Sequence, residues 1–439
     1  MTIGLLYDRF LPLSETFLLH EWRALNASSL PLKTYALDPL PPERACATAA
    51  EIAATERFSL SLGGLAFKTG FYLRHPVRGG TLGVAVLAAT ARAQPGGLFG
   101  PTGLAHLWRA NSAFDLVRRL QRDGITHLHA SFLGLPATLA WIAHRLIGVP
   151  YSISAHARDV WAEDFAVPAK IAAADRVFVC NEAARQELLR RFPTQATKFI
   201  LAPHGLPLDE APPAAPATPT AASANEPPPP AWTQSARFKL LAVGRLVEKK
   251  GFGYLISALD ILRQHGLELG LAIAGAGPLL HELGAKIRDL KLTDRVDLLG
   301  AQPAGRIHQL MGQADLLVVP SIIAPDNDRD GLPNVILEAF EAGLPVLGTP
   351  VGGIPEVVIP ERTGFIAFDY YPSGLVQAIH QAVTLPAPLR KTLAINARFW
   401  LHENREISTC VAPLLNYLRE HAGAAPAAPT PVAAAPSAP

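Results

Sequence analysis

Asp330 and Glu338 are separated by seven residues within "DRDGLPNVILEAFEAGLPVLGTPVGG", residues 328 to 353. The apolar run "DLLVVPS" ahead of them reads as a buried strand, "NDRDGLP" as the loop at its carboxyl end and "PNVILEAFEAG" as a helix. Pro333 suits the first helical position, where its missing N–H would have had no partner, and Gly343 suits the stop. Asp330 then precedes the helix, and Glu338 lies about one and a half turns along it. The N–H groups around Leu332, Asn334 and Val335 are left to face the loop's surroundings, and a helix start of this kind holds anions. A carboxylate beside an anion repels it. The two acids are therefore better suited to accept hydrogen bonds from hydroxyls, such as those of a sugar or a ribose.

Cations stand in a second stretch, "AVGRLVEKKGFGYL". Arg245 ends a strand and Lys250 sits just before Gly251 where a helix begins. A forked and a point-like cation at a strand's carboxyl end suit a diphosphate. In "IAGAGP", Gly275 and Gly277 permit a close backbone approach to a ligand. Two further candidates precede these: Ser14 as the N-cap of a helix beginning in "SETF", and His156 just past the strand in "SISAHARDVW". "DNDRDG" matches the first half of an EF-hand loop, but the twelfth position is Leu337 rather than a bidentate Glu. No metal is expected at these acids, and neither a Walker A motif nor a G-x-S-x-G elbow is present.

Elements able to position such residues recur along the chain. "TIGLLYD", "LKTYAL", "THLHASF", "YSISA", "RVFVC" and "KFILAPH" read as strands with helices between them. The alternation restarts at "FKLLAVGRL" and runs through "ELGLAIAGAG", "VDLLGAQ", "DLLVVPS" and "LPVLGT". This is the pattern of an α/β chain with two parallel sheets and right-handed crossovers. Two such units face each other across a cleft, with ligands outside the carboxyl ends of the strands. Between them lies "APPAAPATPTAASANEPPPPAW", a Pro/Ala tract that extends rather than packs, and a similar tail begins at Ala422. The expected organisation is a first domain over 1–208, a linker over 209–236, a second domain over 237–400, a returning helix over 401–421 and a tail over 422–439.

The 439 residues are 49% hydrophobic and only 7% aromatic, with a net charge of +2, which speaks against a nucleic-acid partner. Three scattered cysteines build neither a disulfide framework nor a metal cluster, and a reducing compartment is expected. Asp8 and Arg9 interrupt any leader-like run, and no segment has the length of apolar sequence a membrane span needs. From Arg57 to Phe114 there is no Asp or Glu, while Arg57, Lys68, Arg74, Arg78, Arg92 and Arg109 fall inside. Interleaved with "LAFKTGFYL", that stretch is either a basic, apolar surface for an anionic bilayer or a solvated rim over an ordinary core.

Taken together, Asp330, the seven residues, Glu338, "AGLPVLGTPVGGIPEVV" and "RTGF" resemble the GT-B glycosyltransferases, in particular the large retaining family 4. "FLPLSETFLLHE", "HLHASF" and "ISAHARDVW" resemble its colanic-acid and exopolysaccharide branch. The resemblance implies two Rossmann-like domains, the first for the acceptor and the second for a nucleotide-diphosphate sugar, with a C-terminal helix crossing back to the first. It implies that Arg245 and Lys250 hold the donor diphosphate and that Glu338 takes the ribose hydroxyls. Asp330 would contact the donor sugar, helped by backbone from Gly331 through Leu332, Pro333 and Asn334 to Val335. His156 would face the reacting sugar. It further implies a cytoplasmic enzyme, at the inner membrane face for a glycan or lipid-linked acceptor, with neither cofactor nor metal. One departure stands out: the first acid is usually Glu, and Asp330 is one methylene shorter. A catalytically degenerate sugar-binding protein of the same fold is the alternative.

Overall fold

The computed structural model describes residues 2–12, 15–38, 40–41, 44–59, 61–93, 99–162, 165–208 and 237–422. Two parallel sheets organise it. The first runs β3-β2-β1-β4-β5-β6-β7, formed by β1 (Thr2–Arg9), β2 (Leu32–Asp38), β3 (Glu56–Arg57), β4 (Ile125–Ala130), β5 (Tyr151–Ala155), β6 (Val177–Val179) and β7 (Phe199–Leu201). The second runs β10-β9-β8-β11-β12-β13, from β8 (Phe238–Val243), β9 (Leu269–Ala274), β10 (Val296–Gly300), β11 (Leu316–Val319), β12 (Val346–Gly348) and β13 (Gly364–Ile366). Strands such as β9, buried at every residue, carry continuous apolar runs because helices cover both of their faces.

In each sheet the strand order reverses once, between β1 and β4 and again between β8 and β11. Side chains and loops at such a switch point have open space at the carboxyl ends of the strands. The loops that leave there are the ones carrying Glu15, Ser131, Arg245 and Asp330.

One face of the first sheet packs Ile3, Leu5 and Tyr7 against Leu18, Trp22 and Leu25 of the helix Thr16–Asn26. Val411, Leu414 and Leu418 complete that layer from the last helix, Ile407–Ala422. The returning helix therefore starts at Ile407, not at residue 401, since the preceding helix runs Ala387–Asn404. The chain breaks helix there because it changes domain. Leu206 N–H donates to the Arg405 carbonyl at 2.9 Å, and Ile407 N–H donates to the Leu206 carbonyl at 2.8 Å.

Residues 209–236 and 423–439, read above as linker and tail, lie outside the described residues. Within the acid-free stretch, three helices form: Leu62–Arg74, Pro76–Ala93 and Pro101–Asn111. Among the described residues, no helix is long and apolar enough to cross a membrane.

Candidate active site between the two domains

Asp330 is 6% exposed and does not stand free. Lys250 Nζ lies 2.8 Å from its Oδ2, Ser321 Oγ donates to the same oxygen at 2.6 Å, and Lys249 Nζ is 3.9 Å from Oδ1. Burial alone would raise this carboxyl; Lys250 and Lys249, with the hydrogen bonds from Lys250 and Ser321, outweigh it and hold it below its ordinary value. Lys249 also pairs with Asp328 at 3.1 Å. Two acids of "DNDRDG" thus face two adjacent lysines, so Lys250 meets any phosphate with a carboxylate already attached.

Arg245 differs. It is exposed at the carboxyl end of β8, and among the described residues no acid pairs with it. Its nearest electrostatic consequence is across the cleft, at Glu15. Burial, with Asp8 adding to it, pushes the Glu15 carboxyl up to about 7, against the opposing pull of Arg245. Glu15 is also the residue before the helix Thr16–Asn26, with no side-chain cap bond. Ser14, expected there as the N-cap, lies outside the described residues.

The helix behind Asp330 begins one residue later than expected. Pro333 has extended backbone (φ −65°, ψ 121°) and precedes the helix Asn334–Glu341. The first-turn N–H groups of Asn334 and Val335 have no intrahelical acceptor. Glu338 is partly buried with no hydrogen-bond donor on its carboxylate among the described residues, and burial raises its pKa.

The two glycines of "IAGAGP" serve a neighbouring loop rather than open space. A Cβ on Gly275 (φ +155°) would sit 1.8 Å from the Gly244 carbonyl oxygen, and one on Gly277 would be 2.4 Å from that of Leu246. Their missing side chains let the Arg245 loop lie flat against β9's end.

His156 is 8% exposed, walled by Phe17 and Phe132 at ring-centroid distances of 5.0 and 4.8 Å. Its Nε2 lies 3.2 Å from the Ser131 carbonyl and its Nδ1 3.2 Å from Nε2 of His204. A carbonyl only accepts, so Nε2 carries the proton and Nδ1 accepts from His204. Burial, only partly offset by that carbonyl, lowers the His156 pKa to about 4. The ring is neutral near pH 7.

Contacts between the domains converge on this same loop. Gly331 packs under Asn181, Ala157 and Cys180, and Asn334 Nδ2 donates to Thr16 Oγ1 at 3.0 Å. Arg158 reaches Asp328 at 3.2 Å, and the Glu356 carboxylate accepts from Glu182 N and Ala183 N at 3.1 and 2.9 Å. Arg245, Lys250, Asp330, the turn from Gly331 to Val335 and His156 are therefore brought to one cleft. Gly275 and Gly277 support it from behind. Sequence reasoning missed Glu15, Lys249 and Ser321, and weighed Asp328 only as an acid of the EF-hand-like "DNDRDG"; "SETF" and "EKK" carried a signal for the first two, in residues adjacent to those singled out.

Residues 232–400 match the family described as "Glycosyl transferases group 1", and residues 76–210 match "Glycosyltransferase Family 4". Both sheets of the chain are thus matched by glycosyltransferase family models, each over less than half of the chain's length. Among curated relatives, it is 38% identical over 141 residues to the amylovoran biosynthesis glycosyltransferase AmsK of Erwinia amylovora, covering 32% of this chain and 34% of the relative. It is 30% identical over 152 residues to the putative colanic acid biosynthesis glycosyltransferase WcaL of Escherichia coli K12, covering 35% and 37%. The matches span about a third of the length of these relatives. The chain also shares its fold with Anabaena Alr3699/HepE, solved in complex with UDP. The TM-score is 0.65 at 17% identity, over 96% of this chain and 100% of that one. GT-B architecture with two Rossmann-like domains is thus its fold.

Proposed function

We propose that this chain moves a sugar from a nucleotide-diphosphate sugar to a hydroxyl of a glycan or lipid-linked acceptor in bacterial polysaccharide biosynthesis, with retention at the anomeric carbon. The observation that carries the reading is Arg245. It is an exposed cation with no acid paired to it among the described residues, at the switch point of the second sheet, where the neighbouring strand β11 leads into the helix Asn334–Glu341 that carries Glu338. Arg245 and the first-turn N–H groups of Asn334 and Val335 meet the diphosphate, and Glu338 accepts from the ribose hydroxyls. As the bond from the anomeric carbon to the diphosphate breaks, Arg245 and Lys250 match the charge that develops. The acceptor oxygen bonds to the same face of that carbon, and its proton leaves with the diphosphate. Neutral His156, at the wall of the first domain, orients the sugar. No metal or other cofactor is invoked for this step.

The acceptor side is proposed to rest on an anionic cytoplasmic membrane face. Leu62, Leu73, Leu104 and Trp108 are exposed on two of the three helices of the acid-free stretch, Leu62–Arg74 and Pro101–Asn111, which also carry Lys68, Arg74 and Arg109. Sedimentation with anionic vesicles at low salt tests this, and failure to sediment rejects it.

The donor is tested by thermal shift against UDP, GDP, ADP, dTDP and CMP, with wild type beside Glu338→Ala. A ligand at a hundredfold its Kd stabilises by about 2.7 kcal/mol. One nucleotide should shift wild type and fail with the variant; no shift from any would reject the reading. A second reading, a sugar-binding protein without transfer, is favoured by one observation: Asp330 is held on Lys250 and Ser321. Donor hydrolysis or transfer by the purified protein would exclude it.

A further inference from the structure

On the amino-terminal half of the first sheet, away from the cleft, His127, Asp175 and His421 come together. One ligand atom from each lies within 4.8 Å of the other two. His127 is on β4, Asp175 leads into β6, and His421 is in the last turn of the helix Ile407–Ala422.

The hydrogen bonds of both histidines leave one nitrogen over. His127 Nε2 meets Ser152 Oγ at 3.0 Å, while its Nδ1 is buried without a partner, and the residue is 0% exposed. His421 Nδ1 lies 2.9 Å from the Tyr417 carbonyl, so that nitrogen carries a proton and Nε2 keeps its lone pair. The two rings lean together at 4.6 Å between centroids, beside the Tyr417 ring. Tyr417 OH reaches Asp175 Oδ2 at 3.5 Å. A buried nitrogen left unsatisfied is rare and asks for a ligand. Metal-binding histidines have this arrangement: one ring nitrogen fixed by a hydroxyl, carbonyl or carboxylate, the other presented as a lone pair.

We propose that His127, Asp175 and His421 form a binding site for a divalent transition-metal ion of the zinc type. Two imidazoles and one carboxylate suit that ion, with water completing a tetrahedron. Metal–ligand bonds of about 2.0–2.2 Å require the three atoms to draw together. Asp175, only partly buried, supplies most of that movement. The ion would fasten the last turn of the returning helix to β4 and β6. The site is separate from the donor cleft and independent of the transfer reaction proposed above. A second group, His156, Cys180 and His204, also clusters; there His156 is bonded at both nitrogens, to His204 and the Ser131 carbonyl, and only His204 Nδ1 is left without a partner.

The test uses the full chain without a polyhistidine tag, stripped with a chelator and titrated with Co²⁺, then Zn²⁺. Wild type should show a visible cobalt absorption that saturates at about one equivalent and is displaced by Zn²⁺, with a raised thermal midpoint. His421→Ala and Asp175→Asn, both at partly exposed positions, should weaken Co²⁺ binding by at least about a hundredfold. Cys180→Ser should leave binding unchanged. Absence of the band in wild type, its survival in His421→Ala, or its loss in Cys180→Ser would each overturn the assignment.

Discussion

Lys250→Met isolates the buried pair at the centre of the cleft. Lys250 and Asp330 side chains are 15% and 8% exposed, and their charged atoms are 2.8 Å apart. Removing one partner of a buried pair costs about 3–5 kcal/mol, because the other charge stays desolvated. Lys249 remains 3.9 Å from Asp330. In an effective dielectric of about 20, attraction at the two distances is roughly 6 and roughly 4 kcal/mol, so the variant keeps about 40% of the total. The expected loss is therefore about 2–3 kcal/mol. Its pH dependence carries a further signature. In wild type the Asp330 pKa is held below its ordinary value, so its contribution is present above the unfolded carboxyl range and is lost as pH falls. In the variant, burial dominates and raises that pKa, so the penalty is largest at neutral pH and is relieved as the carboxyl takes up a proton. Urea midpoints at pH 7.5 and pH 4.5 should differ between the proteins widely at the first and narrowly at the second. Lys250→Met/Asp330→Asn should recover most of the loss. A gap that does not change with pH, or a double variant no better than the single one, would refute the reasoning.

Glu21→Gln should stabilise by roughly 1–2 kcal/mol at pH 8 and by almost nothing at pH 5. Burial pushes the Glu21 carboxyl up to about 7 and its Oε1 has no partner, so folded protein holds a proton that the unfolded chain gives up between about pH 4.5 and 7. Equal gains at both pH values in urea unfolding would contradict this. Gly275→Ala should cost about 2–4 kcal/mol, from a left-handed backbone and a Cβ driven into the Gly244 carbonyl. An unchanged urea midpoint would show that the Arg245 loop moves freely. Arg245→Ala should lower donor turnover by roughly two to three decades, measured by release of nucleoside diphosphate, and normal turnover would remove Arg245 from the reaction.

Much of the fold was legible because buried parallel strands leave continuous apolar runs, as in "LGLAIA" and "LLVV". The chemistry-bearing loops were legible because they leave the carboxyl ends of those strands. β3 was not: two residues, Glu56 and Arg57, are too few to carry a pattern. The helices Leu62–Arg74 and Pro76–Ala93 were hidden by Gly-rich, broadly apolar sequence that lacks a clear polar face. Pairing was hidden for a different reason. Nothing local decides that Lys250 meets Asp330 eighty residues on, or that Arg245 forms no ion pair among the described residues. The roles of Gly275 and Gly277 were inverted for the same reason, since their close neighbour is another loop of the protein.

The returning helix has a consequence for biosynthesis. Val411, Leu414 and Leu418 are among the last described residues to leave the ribosome, yet they seal the layer over Ile3, Leu5, Leu18 and Trp22, which are among the first. Burying those three side chains is worth about 5–8 kcal/mol gross, comparable with the whole net stability of a typical domain. The nascent first domain thus carries an open apolar groove throughout synthesis of the second. Its folding becomes a late event, completed only once the helix Ile407–Ala422 has been made, and until then the groove is exposed apolar surface of the kind that favours aggregation.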